Sequence, residues 1–426
     1  MANWTDNPAT SSTHIRAVHL NEIRWTVDRN RQVAGMAAFG WHDTPITNVV
    51  HIRAIHFTEI RAAILQHMSL PNWSYGSDPI PGGGRPISAR DINDLRAWTD
   101  QFSTALGLPT GPDPAPRGME VLGDVDPNDA YTFGLTTVKV RYYADIDRIA
   151  STLQNNPAVR VVTRFWGPNL GQGEPDGCDF NNAYITDDAF NWYNKLSLYN
   201  ALGKWSAHIP VNEPNVCTSP GVSSAQFQAA MQSLTSAIDT FKQQQGIVVP
   251  WATPPLGAGA TSPSHESEGD YITALMNSGA LSANYSVGSG AIWKYVGAHN
   301  YWNSCSDIMG SQGRYTCFTY WYVQQMAQAH GKQVVMDEVN SNAPCAGGQY
   351  SGGYGDDGRL TDLLRFLGQV EANFLPGLLV SVVFTHSGDT SACGGQGWRQ
   401  FDYTQTQWNQ IASGKVCPFD CSQPCP

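Results

Sequence analysis

The chain has 426 residues, 41% hydrophobic and only 14% charged, with 41 Gly, 26 Pro and 14 Trp, a composition that excludes disordered, collagen-like and coiled-coil proteins. Its net charge of −11 would repel a polyphosphate, so nucleic acid is not an expected partner. At roughly 100–200 residues per domain the length suggests two or three domains, or one large barrel with an accessory piece, and 11% aromatics at low charge density suit a neutral ligand with flat apolar faces, as sugars have.

The first residues, MANWTDNPAT, hold no basic stretch and no apolar run of the kind that directs secretion, so such a signal is expected to be lacking or already removed. An internal repeat follows: IRAVHLNEIR at 15–24, IRAIHFTEIR at 52–61 and the weaker ISARDINDLR at 87–96. In each copy apolar residues recur at helical spacing (Leu20, Ile23 and Val27; Phe57, Ile60 and Ile64; Ile92, Leu95 and Trp98), which predicts one amphipathic helix per repeat and one small shared core. His19 with Glu22 and His56 with Glu59 have i, i+3 spacing that a metal could use. The third copy has Asp91 and Asp94 there instead, which favours capping and surface pairing, and no metal is assigned. The loop-like stretch 76–86 separates the second and third copies, and residues 107–118, GLPTGPDPAPRG, suit a semi-rigid linker. The expected organisation is an all-α helical repeat domain over 1–106, a Pro/Gly-rich linker over 107–117, and a catalytic domain over 118–426.

Beyond the linker, eight short β-type runs alternate with helix-compatible stretches: Met119–Leu122, Thr137–Tyr142, Val159–Phe165, Ala207–Val211, Ile247–Trp251, Tyr295–His299, Gln333–Met336 and Leu378–Phe384. Ala225–Gln245, Thr319–His330 and Gly358–Ala372 have helical length and pattern. Eight βα units predict an α/β fold, a (β/α)8 TIM barrel. A doubly wound sheet is the alternative, but no Gly-rich phosphate turn follows the first strand. No apolar run approaches the 18 residues or so of a membrane span.

In such a barrel the reacting groups stand at the carboxyl ends of the strands. The fourth run ends in IPVNEPN (209–215) and the seventh in VVMDEVN (334–340), so Glu213 and Glu338 reach one rim. Two carboxylates facing each other across a rim can flank a glycosidic bond, one protonating the leaving oxygen and the other attacking the anomeric carbon. Taken singly, either glutamate could cap a helix or pair with an arginine. Asp337 adjoins Glu338, and strand alternation is expected to turn it away from the barrel axis. Trp166, Trp251 and Trp302 lie at or near strand ends as stacking platforms for a sugar, with core filling as the alternative.

At these residues the chain resembles the clan A retaining glycoside hydrolases, which carry Asn-Glu at the end of strand four for the acid/base and Glu at the end of strand seven for the nucleophile. Asn212-Glu213-Pro214 and Glu338 match that pattern, and Asn-Glu-Pro-Asn with the later Glu-x-Asn is most like family 39. The resemblance covers roughly residues 118–415. It implies that Asn212 binds the sugar 2-hydroxyl, that Tyr301 of the His299-x-Tyr301 pair bonds the nucleophile, and that Arg141 keeps the nucleophile ionised. The clan usually has tryptophan at the end of strand eight. This chain has VVFTHS at 382–387, so His386, or Trp398 from the next loop, is expected there.

All nine cysteines lie after residue 177, and with only seven Lys this favours disulfides in a secreted, extracellular protein. Cys417, Cys421 and Cys425 could suggest zinc but lack a fourth ligand nearby, so pairing to a loop or to each other is expected. The predicted protein is a retaining β-glycosidase, endo-acting and monomeric, that needs no cofactor and binds carbohydrate. Its repeats are expected to contact a glycan, a surface or the barrel. The rival readings are an inverting glycosidase and a glycan-binding protein on an inactive barrel.

Overall fold

The structure is a computed structural model. It describes residues 17–34, 39–42, 52–71, 87–106, 117–156, 159–165, 180–215, 222–256, 268–281, 292–302, 332–341, 357–374, 378–386 and 402–412, with isolated positions between them. The chain divides into two compact units, one of residues 1–115 with 369–376 and one of residues 116–368 with 377–426.

In the first unit the repeats form helices α1 (Ala17–Val33), α2 (Ala54–Leu65) and α3 (Ala89–Ala105). The helically spaced residues named above are all buried in one core, joined by Phe102, because a 3.6-residue period gathers them on one face of each helix. The His-x-x-Glu pairs have structural partners. His56 Nδ1 accepts the Arg53 N–H at 3.2 Å and Asp91 the Ser88 N–H at 2.8 Å, each satisfying a donor at its helix start. Glu59 accepts from Arg24 of the preceding repeat at 3.0 Å and from the His42 N–H at 3.1 Å.

The repeat extends further than its helices. Trp4 and Trp41 are 37 residues apart, the same offset as the first two helical copies. Arg24 stacks 5.1 Å over Trp41 while Asp28 accepts the indole N–H, and Arg96 stacks 5.7 Å over Trp4 while Asp100 accepts its N–H. An Arg-x3-Asp pair on one helix thus holds the tryptophan of another repeat, one face by cation–π attraction and one edge by a hydrogen bond.

In the second unit, among the described residues, eight parallel strands close into a barrel in sequence order, with β1 pairing β8. They are β1 (Arg117–Val121), β2 (Thr137–Val140), β3 (Arg160–Arg164), β4 (Trp205–Ile209), β5 (Trp251–Ala252), β6 (Trp293–Trp302), β7 (Gln333–Ser341) and β8 (Leu378–His386). A short helix α4 (Asp129–Thr132) precedes β2, and α5 (Tyr143–Asn155), α6 (Asn182–Leu198), α7 (Ser224–Gln245) and α8 (Glu268–Asn277) follow β2 to β5. Helices α9 (Asp357–Phe374) and α10 (Gln405–Ala412) follow β7 and β8. All eight predicted runs overlap these strands. The fifth is displaced: Val248 is 72% exposed, and pairing begins only at Trp251. The run Thr319–His330 lies outside the described residues apart from His330.

Val162, Ala207, Ile209, Ala252, Tyr295, Val335, Val380 and Val382 form one buried cluster of barrel side chains, the packed layer that a barrel of this size requires. On β6 that packing demands glycine: a Cβ at Gly297 would stand 2.2 Å from the Thr253 carbonyl oxygen. The tail is tied by disulfides Cys305–Cys421 and Cys417–Cys425, one to the segment after β6 and one within itself. Cys178, Cys217, Cys317, Cys345 and Cys393 lie outside the described residues. No described helix is long and apolar enough to cross a membrane.

Candidate active site

At the carboxyl ends of the strands, charged side chains replace the apolar barrel filling. Glu120 on β1, Lys139 on β2 and Arg141 just beyond β2 meet here, and Glu120 and Lys139 are register partners. Lys139 Nζ lies 3.2 Å from Glu120 Oε2, and Arg141 donates its Nε–H to Glu120 Oε1 at 2.6 Å. Arg164 ends β3. All four are buried, where an unpaired charge would carry a large desolvation cost.

Glu338 sits at the centre of this group. Its Oε1 accepts from Arg164 Nη1 at 2.8 Å and from Lys139 Nζ at 3.1 Å, with Arg141 Nη2 3.6 Å away. Its Oε2 accepts the Tyr301 hydroxyl at 2.6 Å. Burial pushes the Glu338 carboxyl towards its protonated form, but the charges of His299, Lys139, Arg164 and Arg141 outweigh that and hold its pKa well below the usual range. Burial and the adjacent carboxylates raise the Tyr301 hydroxyl well above its ordinary value, so it stays a donor.

Alternation does not turn Asp337 away from this cluster. The β6–β7 register shifts between Ala298/His299, where Ala298 pairs with Met336 but His299 pairs with Glu338, and the β7–β8 register shifts between Met336/Val339. One extra residue on β7 is a bulge, which sets two neighbouring side chains opposite one partner residue. Both carboxyls therefore face inward: Lys139 Nζ donates to the Asp337 carbonyl at 3.0 Å and to its Oδ2 at 3.1 Å as well as to Glu338.

His299 joins the two catalytic candidates. Its Nε2 is 3.1 Å from Asp337 Oδ2, its Nδ1 is 2.7 Å from Glu213 Oε1, and the same Nδ1 is 3.6 Å from Glu338 Oε2. Burial disfavours its charge, but Asp337, Glu338 and Glu213 together push its pKa up to about 10 from the ordinary 6.5. Glu213 follows β4 with φ at +39°, a backbone region uncommon for a side-chain-bearing residue. Its side chain remains 23% exposed, against 6% for Glu338. Asn212 Oδ1 is buried with no hydrogen-bond partner among the described residues.

Glu213, His299 and Glu338 each offer one atom within 4.8 Å of the others, a spacing that a metal ion could use. The surrounding charge opposes one, because Lys139, Arg164 and Arg141 already place positive charge against Glu338.

The structure thus brings together Glu213, Glu338, His299, Tyr301 and Arg141. Arg141 is not the cation nearest Glu338, since its guanidinium grips Glu120. Trp302 does not reach the site: it is fully buried, with its ring 5.0 Å from Phe366 of α9, because alternation from inward Tyr301 sends it outward. Trp251 is likewise buried between His208 and Trp293. Trp166 and Trp398 lie outside the described residues, as does the side chain of His386. Sequence reasoning missed Lys139, Arg164, Glu120 and the inward turn of Asp337. The available signal was the string VKVR at 138–141, since a cation between valines in a strand covered on both faces needs a buried partner.

No protein family's sequence profile matches the chain, and no curated protein matches it. Among solved structures, the chain is similar to a family 39 glycoside hydrolase from Bacteroides cellulosilyticus WH2, with 13% identity and a TM-score of 0.44 over 71% of this chain and 64% of that one. It is similar also to an endo-β-1,4-glucanase from Xanthomonas axonopodis pv. citri, with 13% identity and a TM-score of 0.42 over 70% of this chain and 98% of that one. A β-mannanase from Streptomyces thermolilacinus matches with 16% identity and a TM-score of 0.37 over 65% of this chain and 81% of that one.

Proposed function

We propose that the chain is a glycoside hydrolase that cleaves β-glycosidic bonds of an oligo- or polysaccharide with retention, with Glu338 as nucleophile and Glu213 as acid/base. One observation carries the reading: two carboxyls from β7 and the end of β4 stand with oxygens within 4.8 Å of each other in opposite surroundings. Glu338 is enclosed by cations and a phenol that keep it an anion, while Glu213 stands at a more open position where a leaving group can receive its proton. The spacing lies near the roughly 5–5.5 Å of retaining enzymes rather than the roughly 6.5–9.5 Å of inverting ones.

In the first step Glu338 attacks the anomeric carbon as the bond to the leaving oxygen breaks, and Glu213 gives that oxygen its proton. In the second, Glu213 takes a proton from water, which displaces the ester. The unpartnered Asn212 Oδ1 accepts the 2-hydroxyl of the sugar at the cleavage point. Action within the polysaccharide chain rather than at its ends suits the long segments that follow β3, β6 and β7 in the sequence. The two disulfides support an extracellular setting, and the repeat unit is read as a separate domain that engages a glycan, a surface or the barrel. The test is hydrolysis of a panel of β-linked polysaccharides with the anomeric form of the first product followed by NMR. The wild type is expected to release the β anomer and Glu338→Gln to lose about 10⁴-fold or more in rate while remaining folded. Glycan binding without release of reducing ends would favour the inactive-barrel reading, and initial release of the α anomer the inverting one.

A further inference from the structure

The bulge in β7 places a second buried carboxyl, Asp337, behind His299, and the acid/base and nucleophile roles of Glu213 and Glu338 leave it unused. We propose that Asp337 is a positioning residue that fixes His299 as a two-proton donor between the catalytic carboxyls, so that one constant positive charge serves Glu338 before the sugar is transferred and Glu213 after it. This rests on the hydrolase reading of the site.

The number of protons on the imidazole sets the direction of both of its hydrogen bonds. A neutral imidazole carries one N–H. With the proton on Nε2, facing Asp337, Nδ1 would turn a lone pair to Glu213 Oε1 at 2.7 Å and draw the Glu213 proton onto that oxygen, away from the substrate. With Asp337 at 3.1 Å from Nε2 and Lys139 anchoring Asp337 from behind, both ring nitrogens are protonated. Oε1 is then occupied as an acceptor and the transferable proton of Glu213 resides on Oε2.

The charges balance through the step. Before attack Glu338 is the anion and Glu213 holds its proton. After attack Glu338 is a neutral ester, the proton has left with the departing oxygen, and Glu213 is the anion. His299 Nδ1 lies 2.7 Å from one carboxyl and 3.6 Å from the other, so the negative charge moves across a cation that neither gains nor loses a proton. The ionisable groups facing His299 are Glu213 beyond β4, Asp337 and Glu338 on β7, and Tyr301 on its own strand, with Lys139 of β2 one contact further back.

The direct test is nitrogen NMR of the full chain labelled at histidine, with the His299 signal identified by its loss in His299→Gln. Wild-type His299 is expected to keep both ring nitrogens protonated across about pH 5–8, the range in which an ordinary histidine loses its charge. In Asp337→Asn it is expected to titrate within that range. A neutral His299 in the wild type at pH 7, or a His299 in Asp337→Asn that stays doubly protonated throughout, overturns the proposal, and the wild-type result stands even if the variant does not fold. Kinetics give a second readout, with aryl β-glycosides of the sugar that the polysaccharide panel identifies. Asp337→Asn should lower kcat/KM by about 10²-fold on poor leaving groups, which need the acid, and by less than about tenfold on good ones, which do not. Equal losses on both would overturn it. Undiminished hydrolysis by Glu338→Gln would sink the hydrolase reading instead, with the NMR result still deciding what Asp337 does to His299.

Discussion

Glu338 receives hydrogen bonds from Arg164 and Lys139 through one oxygen and from Tyr301 through the other, and these donors are not equivalent. Lys139 also pairs with Glu120 and Asp337, so its fully buried ammonium is shared by three carboxylates from two strands. Replacing it by Met leaves those carboxylates buried with less compensation, and loss of one partner from a buried pair costs about 3–5 kcal/mol. Urea denaturation of Lys139→Met should register a loss of that size, and an unchanged midpoint would mean that the network does not hold the barrel together. Tyr301→Phe should lower kcat, because it removes the hydroxyl that donates to the candidate nucleophile at 2.6 Å; an unchanged kcat would mean that this hydrogen bond does not serve the reaction. Glu213 and Glu338 were legible in the sequence because each follows an apolar run at a strand end, and His299 and Tyr301 through the resemblance to the clan's His-x-Tyr. Lys139 and Glu120 were not, because a charge inside a strand has the same spelling whether it faces water or a buried partner. Arg164 ends its run as Arg141 nearly does, and only the barrel's closure brings it within 2.8 Å of Glu338.

At the scale of elements, the strands were readable and their irregularities were not. Parallel strands covered on both faces are written as apolar runs, which is why eight runs found eight strands. The β7 bulge has no such signature, since MDEVN reads the same with or without an extra residue, yet it decides whether Asp337 points into the site. A second buried polar group joins α6 to the barrel: Asp188 accepts the Tyr143 hydroxyl and lies 3.7 Å from His208 of β4, whose Nδ1 is 2.8 Å from Thr163. Burial raises the Asp188 carboxyl to about 7 and depresses His208 to about 3, so both are neutral at mildly acid pH. A carboxyl whose folded pKa is raised favours the folded state while protonated, and that contribution fades as pH rises from about 3.8 through about 7. Asp188→Asn should therefore be more stable than the wild type at pH 8, with a smaller difference at pH 5, measured by denaturant unfolding at both. The opposite order would show that the carboxylate is stabilised where it sits.

For the molecule as a whole, the barrel confines its charged cluster to one end and its apolar filling to the rest, and this division sets the pH response. His299 has a raised pKa, so its contribution is complete below about 6.5 and is lost as pH climbs through about 10. Glu338 and Asp337 have lowered values, so theirs is present above the ordinary carboxylate range, about 3.8–4.5, and is lost as pH falls below that range towards their lowered values. Thermal unfolding should show the site's contribution greatest between about pH 4.5 and 6.5, with an alkaline decline that is shallower in His299→Gln; parallel alkaline limbs would remove His299 as its cause. The cysteine-rich tail and the helical repeats were visible from spacing alone, whereas the Arg–Trp clamps between repeats were not, because Trp4 and Trp41 stand well ahead of the helices that define the period. The most direct test of the whole account is to expose the protein to an activated β-glycoside bearing fluorine in place of the 2-hydroxyl, which slows release of a covalent intermediate, and to locate the added mass by peptide mapping. One stoichiometric sugar on Glu338 is expected; a sugar on any other residue, or hydrolysis by the protein with no adduct formed, would contradict the assignment of Glu338 as nucleophile.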